Sequence, residues 1–389
     1  MNNSSPIRCD IFCRVVDNYG DAGVCWRLAC QLAREHGWRV RLWIDDPAPL
    51  DSLAPDCAAR PVEVAPWQAA GATFGDVPAT AALAAAIPDI VIEAFACEPP
   101  ENYIAAMARR TPPPVWLNLE YLTAERWIGE LHGLPSPHPR LPLVKHFFFP
   151  GFDERSGGLL READYAARQQ AFDATAFRAE FGLPTPTAET LTISLFSYPH
   201  APLAALRATL ARGERPIQLL LPGSEAPPFT DGTLRVLPLP FLPQPRYDEL
   251  LWLSDLNFVR GEDSFVRAQL TGKPFVWQIY PQADKAHRAK LGAFLVRYAK
   301  VGDGETAAEI PIEPFADATT DSAMTAALAA MTDFWRAWNN LDGSAALDWP
   351  RFAAALPTLA IAAQRWATLL AQQPDLAANL VRFCCDRLK

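Results

Sequence analysis

The chain has 389 residues, of which half are apolar, and a formal net charge of −9. This length favours two or three domains, and the acidic balance argues against an extended nucleic-acid surface. A membrane span is not expected, because no unbroken apolar stretch of about 18 residues occurs. The N-terminus lacks the basic and apolar regions of a signal peptide, and the eight cysteines include no C-x-x-C pair. We therefore expect a cytoplasmic protein with reduced thiols.

The first half of the chain alternates predicted strands with predicted helices. Residues 7–16 and 38–44 are strand candidates, and a helix is expected between them from about residue 24 to residue 36. Because this β-α-β order needs a crossover, it predicts parallel strands. Further apolar strands are predicted around residues 62–64, 90–92, 115–117 and 146–149. Such strands are typical of a doubly wound sheet that is covered on both faces.

A second alternating set follows a proline-punctuated segment at residues 182–187. The predicted fold class is α/β, with Rossmann-like domains over residues 1–182 and 183–372 and a helical C-terminal tail. A helix over about residues 373–389 is expected to pack back on the first domain. Ligands in such folds lie beyond the carboxyl ends of the strands, and two facing units would enclose a cleft.

One stretch of the second unit reads as the end of a buried strand, a sharp turn and the start of a helix. Gly261 permits the turn, and Glu262-Asp263-Ser264 suits a helix N-terminus, whose N–H groups and partial positive charge favour a phosphate. Arg260 and Arg267 flank the turn with cationic groups that match phosphate oxygens. The simpler alternative is a capped helix with surface arginines. Because so many suitable groups converge on one turn, we favour the phosphate site.

The first strand–helix turn of the chain carries two carboxylates around a glycine, in the order Asp17-Asn18-Tyr19-Gly20-Asp21-Ala22-Gly23. It lacks the G-x-G-x-x-G fingerprint, and its charges would repel a pyrophosphate, which argues against a nicotinamide oxidoreductase. The carboxylates could instead accept hydrogen bonds from a cationic or hydroxylated acceptor, and one of them could take a proton. The structural alternative is an Asx-turn with a helix N-cap.

Three further turns of the second unit bring aromatic and amide groups to predicted strand ends. A hydroxyl there could face a phosphate, and an aromatic platform with an amide would recognise a flat base. The alternative is that these rings belong to the core. The residues concerned are Phe196 and Tyr198, then Phe241, Gln244 and Tyr247, and finally Tyr280. The six histidines show no metal-ligand spacing, so no metal site is predicted.

Three motifs, taken in order, resemble the EarP family of bacterial protein-arginine rhamnosyltransferases that act on translation elongation factor P. They are Asp17-Asn18-Tyr19-Gly20-Asp21, then Phe149-Pro150-Gly151-Phe152 followed by Gly157-Gly158-Leu159-Leu160-Arg161-Glu162, and Arg260-Gly261-Glu262-Asp263-Ser264-Phe265-Val266-Arg267-Ala268-Gln269. The resemblance covers nearly the whole chain. It implies a GT-B glycosyltransferase with two Rossmann-like domains facing across a cleft, which needs no metal and no cofactor.

The same resemblance implies the reaction and the roles of single residues. The donor would be TDP-β-L-rhamnose, the acceptor one arginine of elongation factor P, and the anomeric centre would invert. Asp21 resembles the general base, Asp17 its partner and Glu262 an essential glutamate. The implied donor-binding residues are Asn18, Tyr19, Gly20, Phe196, Tyr198, Phe241, Gln244, Tyr247, Arg260, Asp263, Ser264 and Tyr280.

Two alternatives stay open at this stage. A GT-B enzyme of the same fold could act on a glycan or lipid acceptor instead of a protein. A binding or scaffold protein would need the carboxylates of the first turn to be structural. Neither membrane nor nucleic acid is expected as a direct partner.

Overall fold

The computed structural model describes residues 5–17, 19–56, 61–74, 86–282, 285–302, 322–341, 343 and 346–388 of the 389-residue chain. These residues form two units. The first contains the described chain up to Tyr165 and returns with the C-terminal segment from Gln373, and the second spans Ala166–Gln372.

The first unit is built on a seven-stranded sheet with the strand order β3-β2-β1-β4-β5-β7-β6. Neighbouring strands are parallel except for the edge pair β6 and β7, which is antiparallel. Most of these strands are short apolar runs, as the sequence predicts. Their bounds are β1 Arg8–Cys13, β2 Arg39–Ile44, β3 Val62–Pro66, β4 Ile90–Ala94, β5 Val115–Leu119, β6 Pro135–Pro137 and β7 Val144–Phe148.

Helices connect these strands, and one of them lines the apolar core of the sheet. Tyr103, Ala106 and Met107 of helix Glu101–Arg109 are fully buried in one cluster with Phe12 of β1 and Trp116 of β5. The helices of this unit are Tyr19–His36, Ala48–Leu53, Trp67–Phe74, Glu101–Arg109, Ile128–Leu131 and Leu376–Cys385.

The C-terminal helix Leu376–Cys385 belongs to the first unit, where the sequence analysis expected it. The Gly157-Gly158 pair supports its approach, because a Cβ at Gly158 would lie 2.5 Å from the Pro374 carbonyl oxygen. Leu376 N–H donates to the Leu159 carbonyl at 2.9 Å, and Arg161 Nη2 donates to the Gln373 carbonyl at 2.8 Å. The glycine-rich motif in the middle of the chain therefore carries the returning C-terminal segment.

The second unit has a six-stranded sheet with the order β10-β11-β9-β8-β12-β13. Only β10, at one edge, is antiparallel to its neighbour among these described strands. The bounds are β8 Leu191–Leu195, β9 Ile217–Pro222, β10 Phe229–Asp231, β11 Leu234–Leu239, β12 Leu256–Arg260 and β13 Phe275–Gln278. The helices are Tyr165–Gln170, Ala174–Glu180, Leu203–Ala211, Gln244–Leu253, Asp263–Leu270, Ala286–Gly302, Ser322–Trp338 and Trp349–Gln372.

Each sheet reverses its strand order at one point. In the first unit, β2 and β3 lie on one side of β1, and β4 and the later strands lie on its other side. In the second unit, β8 and β12 flank the equivalent reversal. Ligands of doubly wound sheets bind outside the carboxyl ends of the strands at this position, so it defines where a site is expected in each unit.

The boundary between the units lies earlier than the predicted residue 182. The chain changes unit after Tyr165, because helix Ala174–Glu180 packs into the second core. Phe177 is buried there with Leu220 and Leu237, and Arg178 donates to Gln218 at 2.9 Å. The proline-punctuated segment is therefore a connection inside the second unit.

Two sequence expectations concern cysteines and membranes. Seven cysteines are described, and all are free thiols, whereas Cys57 lies outside the described residues. Among the described helices, none combines the length and apolar character that a membrane crossing requires.

Candidate active site

The first strand–helix turn holds Asp21 in a defined set of hydrogen bonds. The helix begins at Tyr19 rather than near residue 24, so Asp21 lies in its first turn, with 2% of its surface exposed. Its Oδ2 accepts the N–H groups of Val16 and Asp17, each at 2.8 Å. The Tyr121 hydroxyl donates to Oδ1 across 3.3 Å, which is longer than a usual O–H···O bond. One carboxylate oxygen thus closes the turn, and the other is held loosely.

Burial raises the pKa of the Asp21 carboxyl above its usual value, and the backbone N–H groups of the turn and Tyr121 oppose that increase. A second nearby carboxylate, Asp45, raises the pKa further. Asp45 follows β2 and accepts the Val15 N–H at 2.8 Å. A carboxylate with a raised pKa is a better proton acceptor, so this environment suits a general base.

Asp17 and Gly20 fit closely together in the same turn. A Cβ at Gly20 would lie 2.7 Å from Asp17 Oδ2, so position 20 has no room for a side chain while Asp17 keeps its place. Asp17 and Tyr19 are both half-buried. Asn18, also predicted at this site, lies outside the described residues. The structure therefore brings Asp17, Tyr19, Gly20 and Asp21 into one turn.

Two aromatic residues beside this turn were missed by the sequence analysis. Phe95 follows β4 and Tyr121 follows β5 by two residues, and their rings stack with centroids 4.2 Å apart and an interplanar angle of 12°. Both side chains are half-buried. The signal that could have found them is their place at the carboxyl ends of strands, since β4 borders the strand-order reversal.

The chain at Phe95 is held in an uncommon backbone conformation. Phe95, Ala96 and Glu98 have φ values of +59°, +53° and +49°. Holding a residue other than glycine in this left-handed conformation costs about 1–3 kcal/mol. Such conformations cluster at functional sites. The conformation is held by Phe95 N–H, which donates to the Leu119 carbonyl at 2.7 Å, and by Ala96 N–H, which donates to Asn118 Oδ1 at 3.0 Å.

In the second unit, Arg260 is the last residue of β12, and its guanidinium lies over two aromatic rings. Its Cζ is 4.4 Å from the Phe196 centroid and 4.6 Å from the Tyr198 centroid. Both rings follow β8, the strand on the other side of the reversal. An arginine that stacks on an aromatic face can still direct its N–H groups, in the plane of the guanidinium, at an anion.

The turn after Arg260 leads directly into helix Asp263–Leu270. Gly261 adopts φ +66°, which is why glycine stands there. Gln244, at the start of helix Gln244–Leu253, donates from Nε2 to Asp263 Oδ2 at 2.9 Å. Glu262, Asp263 and Ser264 are all half-buried. The predicted helix N-terminus is present, and Gln244 fixes the orientation of Asp263.

The predicted aromatic group is assembled around Phe196 and Tyr198. The Tyr247 ring meets Phe196 edge to face, with centroids 5.8 Å apart. Burial raises the pKa of the Tyr247 hydroxyl, and the nearby Ser264 opposes this. Phe241 is half-buried and lies against Gly223, just after β9.

Gln278 is a third residue that the sequence analysis missed. It ends β13, is 1% exposed, and accepts the Tyr198 N–H on Oε1 at 2.7 Å. Its Nε2 is buried and has no hydrogen-bond partner among the described residues. Tyr280 follows, 42% exposed, and meets the Tyr198 ring edge to face at 5.5 Å. Gln278 therefore anchors the turn after β8 from two strands away.

The structure corrects the interpretation of Arg267. This side chain is fully buried and forms a two-bond ion pair with Asp248, with Nε–Oδ1 at 3.0 Å and Nη2–Oδ2 at 2.7 Å. Arg168 Nη1 lies 3.7 Å from the same carboxylate. Arg267 thus joins two helices in the core and does not flank the turn with a phosphate-binding group. Within the described residues, no cluster of three or more His, Cys, Asp or Glu side chains could hold a metal ion.

Two doubly wound α/β units of this kind have the architecture of the GT-B fold, which confirms the predicted fold class. The calicheamicin glycosyltransferase CalG4 shares the fold, with a TM-score of 0.50 at 15% identity over 99% of this chain and 100% of that one. A family model described as "Elongation-Factor P (EF-P) rhamnosyltransferase EarP" matches residues 9–312 and 305–385. The chain belongs to the EarP family.

Individual relatives agree with this assignment. A protein-arginine rhamnosyltransferase of Pseudomonas aeruginosa is 44% identical, and the match covers 97% of this chain and 99% of the relative. One from Neisseria meningitidis is 40% identical over 75% of this chain and 79% of its own length. A solved structure from work on the structural basis of EarP-mediated arginine glycosylation of translation elongation factor EF-P has a TM-score of 0.63 at 31% identity, covering 98% of this chain and 99% of that one.

Proposed function

We propose that the chain is an inverting glycosyltransferase that moves rhamnose from TDP-β-L-rhamnose to an arginine side chain of translation elongation factor P. The observation that carries the proposal is that its two strand-order reversals present different charged groups. One presents carboxylates, with Asp21 at its centre, and the other presents Arg260 on two aromatic rings. An arginine acceptor needs the first arrangement, and a diphosphate needs the second.

The donor half is assigned to the second unit. Arg260 and the N-terminus of helix Asp263–Leu270 would stabilise the negative charge that develops on the departing diphosphate. Phe196, Tyr247 and Phe241 are proposed to bind the flat thymine base, and Tyr198 and Tyr280 to border the donor. Glu262, Ser264 and the Gln244–Asp263 pair are assigned to the ribose and diphosphate side. Neither a cofactor nor a metal is proposed.

The acceptor half is assigned to the first unit. A guanidinium is a poor nucleophile because it is cationic and delocalised, and a free carboxylate cannot remove its proton in a separate step. We propose that Asp17 and Asp21 hold the guanidinium by charge-assisted bonds. Tyr19 and Gly20 would shape the same turn, and Asn18, Tyr19 and Gly20 are assigned to donor binding.

The bond changes balance in one displacement. A guanidinium nitrogen forms a bond to the anomeric carbon as the bond from that carbon to the diphosphate oxygen breaks, and the electron pair leaves with TDP. Asp21 takes the proton from the same nitrogen as the C–N bond forms. Attack from the side opposite the leaving group inverts the centre, and a positioned carboxylate base contributes roughly 10²–10⁴-fold.

The second candidate is a GT-B glycosyltransferase with a glycan or lipid acceptor. The two carboxylates of the turn around Asp21 favour an arginine acceptor over this candidate. A hydroxyl acceptor needs one base and gains little from a second carboxylate, whereas a guanidinium can donate to both. Action on a cytoplasmic translation factor would also require a cytoplasmic location, which remains part of the proposal.

The direct test is mass spectrometry of elongation factor P after incubation with the protein and TDP-rhamnose. We expect one rhamnose on one arginine, with turnover maintained in EDTA, and no transfer to glycan or lipid acceptors. Failure to modify elongation factor P while another acceptor is modified would overturn the proposed substrate. A loss of turnover in EDTA that Mg²⁺ or Mn²⁺ restores would overturn the metal-free assignment.

A further inference from the structure

We propose that Phe95 and Tyr121 position the acceptor arginine, with the stacked ring pair supporting the flat face of its guanidinium beside Asp21. The two residues are called the Phe95–Tyr121 pair below. The inference rests on the proposed function and deepens it, because it names how the acceptor side of the same site recognises its substrate.

Asp21, Phe95 and Tyr121 lie at the carboxyl ends of adjacent strands. Asp21 follows β1, Phe95 follows β4 and Tyr121 follows β5, and these three strands are neighbours in the sheet. Their carboxyl ends share one edge, so the three side chains lie at one end of the first unit. The Tyr121 hydroxyl reaches Asp21 Oδ1 across 3.3 Å, which ties the ring pair directly to the carboxylate.

The ring pair and the neighbouring carboxylates match the chemistry of a guanidinium. A guanidinium is planar and weakly hydrated, so it prefers to stack on an aromatic face while its edges donate to carboxylates. The Phe95–Tyr121 pair supplies a π face, with a centroid separation of 4.2 Å, and Asp17 and Asp21 supply the acceptors. The long Tyr121–Asp21 contact is easily exchanged, so the guanidinium can take Oδ1 when it binds.

The Phe95–Tyr121 pair is more exposed than a ring contact of the core in the same unit. Phe12 and Tyr103 also meet closely, at 4.7 Å, but both are fully buried and belong to the core. Phe95 and Tyr121 are both half-buried, so a ligand can reach them. Core packing alone does not require the strained φ of +59° at Phe95, whereas a rigid platform for a ligand benefits from it.

The Tyr121 hydroxyl has a separate positioning role. Because its hydrogen bond lowers the pKa of Asp21, the bond keeps the carboxylate ionised over a wider pH range. Tyr121 therefore acts through Asp21, while the ring of the pair acts on the acceptor. The two roles separate experimentally, since Tyr121→Phe removes the hydroxyl and keeps the ring.

The test uses the full chain, elongation factor P and TDP-rhamnose. Phe95→Leu keeps apolar volume but removes the π face, and we expect KM for elongation factor P to rise about 5- to 30-fold, with KM for TDP-rhamnose unchanged. Phe95→Tyr should restore most of that loss. Tyr121→Phe should shift the acidic limb of the kcat/KM–pH profile upward, because that profile reports the free protein, in which the hydroxyl bonds Asp21. Phe229→Ala, which removes a surface ring over Arg207 at the edge of the second sheet, is the matched control.

The outcomes separate this inference from the proposed function. If the wild-type protein leaves elongation factor P unmodified, the proposed function fails, and if Asp21→Asn retains turnover, the assignment of Asp21 as the base fails. If wild type is active and Asp21→Asn is not, but Phe95→Leu keeps its acceptor KM and Tyr121→Phe keeps its pH profile, the inference alone fails. Thermal unfolding identifies a variant that does not fold, and in that case the Tyr121→Phe profile decides.

Discussion

The two strand-order reversals of the molecule have the same topology and present different charged groups. In the first unit, the turn after β1 holds Asp17 and Asp21, with Asp45 at the next strand end. In the second unit, β12 ends in Arg260, whose guanidinium lies over the two rings that follow β8. Each unit has a polar group at the position where a doubly wound sheet binds ligands.

In both units the strand order decides where the site lies, and the side chains decide which ligand charge the site attracts. A carboxylate turn attracts a cation, and an arginine beside a helix N-terminus attracts an anion. The first reversal is therefore expected to bind the acceptor and the second to bind the donor of one reaction.

Asp21→Asn should have the largest effect on the acidic side. The asparagine carbonyl can still accept the N–H groups of Val16 and Asp17, so the turn should persist while the proton acceptor is lost. We expect kcat to fall about 10²–10⁴-fold, equivalent to about 2.7–5.5 kcal/mol. Asp45→Asn, which removes a carboxylate at the neighbouring strand end, is the control and should lose far less. Turnover near wild type per folded Asp21→Asn molecule would show that Asp21 is not the base.

Arg267→Met should act on stability rather than on the donor site. Removing Arg267 takes from the buried Asp248 carboxylate the partner of its two-bond ion pair, and Arg168 lies 3.7 Å away, so we expect a loss of about 3–5 kcal/mol in the free energy of unfolding. Urea unfolding measures it, and the same change at Arg260 is the matched control, with little expected loss. Adding Asp248→Leu should recover much of the stability. Equal destabilisation at both arginines would contradict the division between a core and a site arginine.

Gln278→Ala should weaken the donor side by a smaller amount. The Tyr198 N–H loses its acceptor, and a buried unpaired donor costs about 1–3 kcal/mol. The turn that carries Tyr198 under Arg260 should loosen, so KM for TDP-rhamnose should rise while KM for elongation factor P stays constant. An increase confined to the acceptor KM would place Gln278 in the wrong half of the reaction.

The pH dependence of wild-type turnover should show the smallest effect. Since burial raises the pKa of Asp21, the ionised base is lost as pH falls through a value above the usual Asp pKa of about 3.9. The acidic limb of kcat/KM, which reports the free protein, should therefore lie above that value. For stability the sign is opposite, because the folded state binds the proton more tightly, so this residue's contribution declines as pH rises through its folded pKa. A limb at or below the usual value would show that another group is titrating.

Local patterns predicted the parts of the site that depend on local structure. The strand end at Arg260, the turn at Gly261 and the aromatic residues after β8 follow from apolar runs and turn residues, whereas β1 ends at Cys13 and not at the predicted residue 16. Long-range packing decided the rest. Arg267 turns inward because its partner, Asp248, lies on another helix, which no helical spacing reveals. The Phe95–Tyr121 pair forms only because β4 and β5 are neighbours in the sheet.

The domain boundary shows the same limit. Proline punctuation at residues 182–187 is a genuine local break, but the hydrophobic side chains before it, such as Phe177, join the second core. Likewise, the helix after β1 starts at Tyr19 because Asp21 holds the preceding N–H groups, a contact absent from the apolar pattern that suggested a later start.

The central claim is that Arg260, at the strand-order reversal of the second unit, binds the diphosphate of the donor and that Asp21 does not. Calorimetric titration of TDP into Asp21→Asn and Arg260→Met tests it most directly. We predict that Asp21→Asn binds TDP with the Kd of the wild-type protein, whereas Arg260→Met weakens binding by at least about tenfold. Weakened TDP binding in Asp21→Asn together with unchanged binding in Arg260→Met would contradict the account.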